Sequence, residues 1–470
     1  MRHLPLFAAF ALAMPAAAQP APTEHALLRE LAGQVSSERQ RTTVTKLVGF
    51  GTRHTLSDTR SPTRGIGAAR RWVASEFARM ARECGGCLTV QTPSQIVSGT
   101  ARIPNPTEVM DVLAIQRGTG DPDRVIVISG HMDSRVSDPL NFTSDAPGAN
   151  DDASGTAAVI EAARVLSKYK FPATLVFAAL SGEEQGLHGG KVLADYATAH
   201  AWKVEADLNN DIVGNSEGLT GTRETTRVRV FSEGTKAVET QAEADKRRYN
   251  GGEVDSPSRQ LARMMDGLAD RYLSNFDVTM VYRTDRFSRG GDQVEMLKAG
   301  FPSVRVTEAN ENYTRQHQDL RVEHGIRYGD VIEGVDFAYL AQVTRLNIVT
   351  MAALASAPAP PTGVDIKGAV STDTTLVWTP SPDAASYRMW WRATTDPQWR
   401  FSRDAARTVP KEDASAVLKE VNIDDWFFGV SAIGPDGWES PVVFPGAPGS
   451  WTHEEQPEAP AAPGTPGSKR

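Results

Sequence analysis

Residues 124–133 read RVIVISGHMD, an apolar run of strand length that ends in glycine and passes at once to His131 and, two residues on, Asp133. Its length and β-branched content predict a buried strand. Working outward, similar runs occur in VMDVLAIQR (109–117), ATLVFAAL (173–180) and VEADLNNDIV (204–213). Amphipathic stretches of helix length separate them, TAAVIEAARVLSKY (156–169) and LHGGKVLADYA (187–197). The alternation predicts an α/β domain, a mostly parallel central sheet flanked by helices, over residues 24–355. A long helical pattern from Gly329 to Leu354, with Val331, Val335, Phe337, Tyr339, Leu340, Val343 and Ile348 on its apolar positions, closes it.

The chain around this domain has 470 residues, a formal net charge of −8, 40% hydrophobic and 23% charged residues, 29 Pro and only 2 Cys. This profile suits two or three globular domains and excludes a disulfide-dense scaffold. The acidic balance argues against nucleic acid as a partner, since phosphate contacts need clustered Lys and Arg. Arg2 and His3, an apolar run from Leu4 to Met14 and small residues through Ala18 predict a signal peptide over residues 1–18, hence an exported, periplasmic or secreted protein. That run is too short to cross a bilayer, and no later stretch qualifies, so no membrane span is expected. Export permits a disulfide between Cys84 and Cys87 of ECGGC. A Pro-rich linker is expected at 356–363. After it, short β-rich pieces (TTLVWTP, SYRMWWRA, WFFGVSAIG) predict a small all-β sandwich over 364–445, with Trp378 in its core. Such a module is a candidate for binding a surface or another domain, through Trp390, Trp391 and Trp399. The Pro-, Ala- and Gly-rich residues 446–470 read as a disordered tail.

In an open α/β sheet, ligands gather beyond the carboxyl ends of the strands. The residues there are metal-ligand types. After the first strand come His131 and Asp133. GANDDASG (148–155) places Asp151 and Asp152 before a helix that Ser154 is expected to cap. Glu183 and Glu184 follow the next strand, where an extended loop would point them opposite ways. Asp211 follows the next, and His317 lies far downstream in RQHQDL. Taken singly, each reads as a cap or a surface residue. Together His131, Asp151, Glu184, Asp211 and His317 make a metal centre, and imidazoles mixed with carboxylates favour zinc over calcium. Five ligands exceed the need of one tetrahedral ion, which predicts two metals sharing a carboxylate.

The ordered set H-x-D, G-x-N-D-x-x-S-G, E-E, N-D and a late His resembles the secreted di-zinc aminopeptidases of the bacterial leucyl aminopeptidase type, over about residues 27–355. The resemblance implies two zinc ions, one on His131 and Asp211, the other on Glu184 and His317, with Asp151 bridging. It implies that Asp133 orients His131, that Glu183 is the general base and acid, and that peptide or protein N-termini are the substrate. The chain departs from the family where Arg315-Gln316-His317-Gln318-Asp319 replaces a Tyr-His-Ser/Thr-Pro-x-Asp context, and where Gln293 follows Asp292. The C-terminal segment resembles a fibronectin type III domain. Rival readings are a carboxypeptidase or glutaminyl-cyclase-like enzyme on the same site, a catalytically silent relative, and a serine hydrolase using Gly214-Asn-Ser216-Glu-Gly218. The last requires a helix directly after the serine, and the sequence there is turn-like.

Overall fold

The computed structural model describes residues 23–406 and 414–451. The expected signal peptide and most of the expected tail lie outside these residues. Eight strands form the central sheet: β1 (Thr89–Gln91), β2 (Val112–Gln116), β3 (Arg124–His131), β4 (Thr174–Leu180), β5 (Lys203–Asn210), β6 (Arg227–Phe231), β7 (Asp277–Val281) and β8 (Ser303–Glu308). Their spatial order is β1-β2-β4-β3-β5-β8-β6-β7. The centre, β4-β3-β5-β8, is parallel; β1/β2, β2/β4 and β8/β6 are antiparallel, so the sheet is mixed, with a parallel middle. VMDVLAIQR is not one strand. Asp111 turns its buried carboxylate to the Ser181 N–H (2.9 Å), and residues 107–110 leave to pair with 94–97 in a separate hairpin.

Nine α-helices occur among the described residues: α1 (Ala26–Gly33), α2 (Ser37–Val48), α3 (Ile66–Glu83), α4 (Ala153–Leu166), α5 (His188–Ala199), α6 (Gln241–Asn250), α7 (Pro257–Tyr272), α8 (Gln293–Lys298) and α9 (Phe337–Ser356). Alternate residues of the central strands face opposite layers, as a two-sided sheet requires. Ile126, Ile128 and Phe177 pack with α4 and α9, while Val125, Val127 and Val176 pack with Leu193 of α5 and Met296 of α8. α9 begins later than the pattern suggests. Val331 and Val335 lie in a 3₁₀ approach, and Asp336 starts the helix by accepting the N–H groups of Ala338 and Tyr339. α9 is the one described helix long and apolar enough to cross a bilayer, and most of it is buried within the protein. Cys84 and Cys87, just after α3, are joined as a disulfide.

Two three-stranded antiparallel sheets follow, of β9 (Thr362–Lys367), β10 (Thr374–Thr379) and β13 (Ala414–Leu418), and of β12 (Phe401–Ala406), β11 (Ser386–Ala393) and β14 (Trp426–Ile433). Trp378 and Tyr387 fill the core between them. The connector ahead of β9 is packed rather than free: Ala357 is buried, its carbonyl accepts from Arg124 (2.9 Å), and that of Ala359 accepts from Ser381 (2.6 Å). The first residues of the expected tail are packed too, Ala447–Gly449 forming a 3₁₀ turn with Pro448 and Gly449 buried. The tryptophans expected as an external binding face are committed internally. Trp391 is buried, Trp390 Nε1 donates to Ser431 and Glu439, and Trp399 Nε1 donates to Gln260 of α7 (2.9 Å). The module thus docks on the α/β domain of its own chain, and the Pro397 carbonyl accepts from Arg263 (2.7 Å) beside it.

Candidate metal centre

All the expected ligand residues meet at the carboxyl end of the parallel strands. His131 is the last residue of β3, Glu183 and Glu184 follow β4, Asp211 follows β5, His317 lies in the loop beyond β8, and Asp151 precedes α4. Adjacent strand order converts ligands far apart in sequence into neighbours. The close seat of α4 depends on glycine: a Cβ on Gly155 would overlap the Asn210 carbonyl, and one on Gly130 would stand 2.8 Å from the Gly155 backbone.

The donor atoms form two groups, His131 with Glu183 and Asp211, and Asp151 with Glu184 and His317. The Asp151 carboxylate spans them. Its Oδ1 is 3.3 Å from His131 Nε2 and its Oδ2 is 3.0 Å from His317 Nε2. Asp211 Oδ1 lies 3.7 Å and Glu183 Oε2 4.0 Å from His131 Nε2, and Glu184 Oε2 lies 3.0 Å from His317 Nε2. Glu183 and Glu184 do not sit in an extended loop. The N–H groups of Gly186 and Leu187 both close onto the Glu183 carbonyl, and this turn lets both side chains enter the site on different sides.

The supporting groups follow from burial. His131 Nδ1 faces the Asp133 carbonyl (3.2 Å) and carboxylate (3.4 Å), and that carboxylate also accepts from Thr55 (3.0 Å) and the Glu184 N–H (3.2 Å). The cap of α4 is Asp152, not Ser154: its carboxylate takes the N–H groups of Gly155 (2.8 Å) and His131 (3.0 Å), while Ser154 donates to the Asn150 carbonyl. Three further residues hold the site and carry no sequence motif. Asp330 accepts the Asn150 and Asp151 N–H groups (2.9 and 2.7 Å). The Arg53 guanidinium braces the carbonyls of Met132 and Gly148 (2.6 and 2.8 Å). Arg305, wholly buried on β8, pairs with Asp211 Oδ2 (2.6 Å) and so leaves Oδ1 to face His131. A charged residue inside the strand-length run SVRVTE is the one signal that could have found Arg305. At the rim, Arg135 Nε donates to Glu184 Oε2 (2.8 Å), and its Nη2 meets His317 Nδ1 (2.7 Å).

The electrostatics are those of crowded carboxylates around imidazoles. Burial pushes the Glu183 carboxyl well above the usual range, helped by Asp211, Glu184 and Asp292 against the pull of His131. Burial would also raise Asp211, but the Arg305 guanidinium and His131 hold it well below. His317, whose burial alone would lower it, is lifted to about 10 by Glu184 and Asp151. His131 Nε2 and Glu184 Oε1 are buried without a hydrogen-bond partner among the described residues, aimed where a cation would sit. Two imidazoles with carboxylates are a zinc donor set. The serine alternative finds no support: Ser216 donates to Asp336 Oδ2 (2.7 Å), and residues 217–226, directly after it, form no helix.

Residues 111–322 match the sequence profile described as Peptidase family M28. A probable zinc metalloprotease of Pyrenophora teres f. teres is 44% identical over 423 residues, covering 89% of this chain and 86% of that protein. One of Leptosphaeria maculans is 43% identical over 430 residues, covering 91% and 98%. Matches of this length extend past α9 into the C-terminal module. Among solved structures, the LapA aminopeptidase of Legionella pneumophila superposes with a TM-score of 0.50 at 18% identity, covering 73% of this chain and 77% of that one, a likeness of fold.

Proposed function

We propose, from the premise that this chain belongs to peptidase family M28 and is a zinc metallopeptidase, that it is an exported aminopeptidase carrying two zinc ions. The observation that carries the reading is the Asp151 carboxylate, which offers one oxygen to each of two histidines that stand in separate donor groups. His131 and Asp211 would hold one ion, Glu184 and His317 the other, and Asp151 both. When bound, zinc lowers the pKa of a coordinated water to about 7 and polarises the scissile carbonyl. Glu183 is the proton carrier. Its carboxylate borders the His131 group, where it can take a proton from the attacking water and return it to the leaving amine. Asp133 acts through others, setting the ring plane of His131 and fixing the Glu183–Glu184 turn through its N–H acceptors. Free N-termini as substrates rest on the motif order and on the fold shared with LapA. Export rests on the leader-like residues 1–18 and agrees with the Cys84–Cys87 disulfide.

The test is metal analysis of the purified protein together with turnover of aminoacyl, N-blocked and carboxypeptidase-type substrates before and after chelation and zinc restoration. The expected result is two zinc ions per chain and a free-amine activity that disappears and returns with them. Activity confined to blocked or carboxypeptidase-type substrates would overturn the aminopeptidase assignment.

A further inference from the structure

Arg135 stands at the edge of the site, between Glu184 and His317. Its Nε is fixed on Glu184 Oε2 (2.8 Å), and its Nη1 on the carbonyls of Val136 and Ser137 (3.3 Å each). Its Nη2 lies 2.7 Å from His317 Nδ1, while Nε2 of the same ring lies 3.0 Å from both Asp151 and Glu184. A neutral imidazole has one lone pair in its plane. If His317 gives that pair to a zinc ion through Nε2, the hydrogen resides on Nδ1, and an arginine N–H cannot donate there. At the same time the charge of Glu184, the only carboxylate paired with Arg135 among the described residues, is drawn to the ion.

Loading the site therefore leaves an arginine with one edge still fixed, an Nη2 edge released, and its counter-charge withdrawn. A planar guanidinium held in this way is a receptor for a carboxylate. A second cation reinforces the sign of this edge: exposed Arg102 donates through Nη1 to the Glu184 carbonyl (2.7 Å). Resting on the two-zinc aminopeptidase reading, we propose that Arg135 is a specificity residue that receives a carboxylate of the substrate, so that the preferred peptides bear a negative charge close to the scissile bond. That charge has two sources, the free C-terminus of a dipeptide or an acidic side chain beside the cleaved bond, and both present the same group to the guanidinium.

The experiment compares Leu-Leu with Leu-Leu-amide, and Leu-Asp-amide with Leu-Asn-amide. Kinetics are measured on the zinc-loaded wild type, Arg135→Met and Arg135→Lys, and binding by calorimetry on the same variants in a zinc-loaded Glu183→Gln background. The wild type is expected to prefer the charged member of at least one pair by about tenfold or more in KM and in binding, as loss of a charged hydrogen bond predicts. The pair that shows the preference names its source. The preference should vanish in Arg135→Met and persist in part in Arg135→Lys, compared at equal zinc occupancy. A preference that survives in Arg135→Met, equal weakening of both members of each pair, or no preference in the wild type would overturn the proposal. Equal weakening would mean that Arg135 only braces Glu184. If no free-amine peptide turns over, the aminopeptidase reading fails, while the binding arm still decides the role of Arg135.

Discussion

Arg392 of β11 and Asp255, which lies just ahead of α7, meet inside the protein, the arginine Nη2 reaching both carboxylate oxygens at 2.8 and 2.9 Å. Asp255 also accepts from Arg263 (2.8 Å) and Gln260 (3.1 Å), and the Arg392 guanidinium stands 4.9 Å from the ring of Phe427 and 5.3 Å from that of Trp399. One carboxylate thus holds two arginines at the seam between module and peptidase domain. Asp255→Asn keeps the shape and removes the charge, leaving both arginines buried without it. The expected loss is about 3–5 kcal/mol, read as an earlier midpoint in denaturant with module and peptidase domain still unfolding in one transition. An unchanged midpoint, or a module that melts separately in the wild type, would count against a welded module.

Glu183→Gln keeps the size of the side chain and removes its ability to carry a proton. Zinc content should match the wild type while kcat falls by about 10²–10⁴-fold. Substantial residual turnover at full zinc occupancy would reassign the base.

Arg305→Met fills similar space but releases Asp211 Oδ2, which the guanidinium holds at 2.6 Å. Without that anchor the carboxylate is free to rotate away from the orientation in which Oδ1 faces His131. Affinity for zinc, measured by competition with a chromogenic chelator, should drop by about 10–100-fold. Full affinity in the variant would show that Asp211 needs no such anchor.

Glu233, beyond β6 and far from any motif, is raised from its ordinary value of 4.5 to about 8 by burial. Below pH 4.5 both folded and unfolded chains hold this proton, so the residue contributes no pH dependence there. Between 4.5 and 8 the unfolded chain has released it and the folded chain has not, so stability falls as pH rises through that window. Glu233→Gln should therefore raise the thermal midpoint at pH 8.5 and change it little at pH 4.5. An equal effect at both values would mean that burial does not hold the proton.

Four of the proposed ligand residues, His131, Asp151, Glu184 and Asp211, were legible because each sits within a few residues of a strand or helix end, where local pattern and chemistry coincide; His317, in the loop well beyond β8, stood out only through the order of the whole set. His131 follows RVIVISG directly, and Asp151 stands beside the glycine that lets α4 approach the sheet. The residues that position them were not, because their partners are distant. Asp330 reaches Asp151 across 179 positions, and Arg392 reaches Asp255 across 137. The start of α9 was misplaced because Val331 and Val335 continue the apolar spacing, and only the cap at Asp336 marks the true boundary. Trp399 looked like an external binding residue because its acceptor, Gln260, belongs to a different domain.

The ligand residues run from position 131 to position 317, and Arg392 comes later still. A chain emerging from the ribosome does not hold the whole proposed ligand set until about two-thirds of it exists, and Asp255 lacks its cross-module partner until about half of the rest has followed. For a polypeptide threaded unfolded through a membrane, the five ligands would cross as separate, unassociated side chains. Zinc would then be acquired on the far side, and maturation would depend on the metal supply of the compartment in which the chain folds.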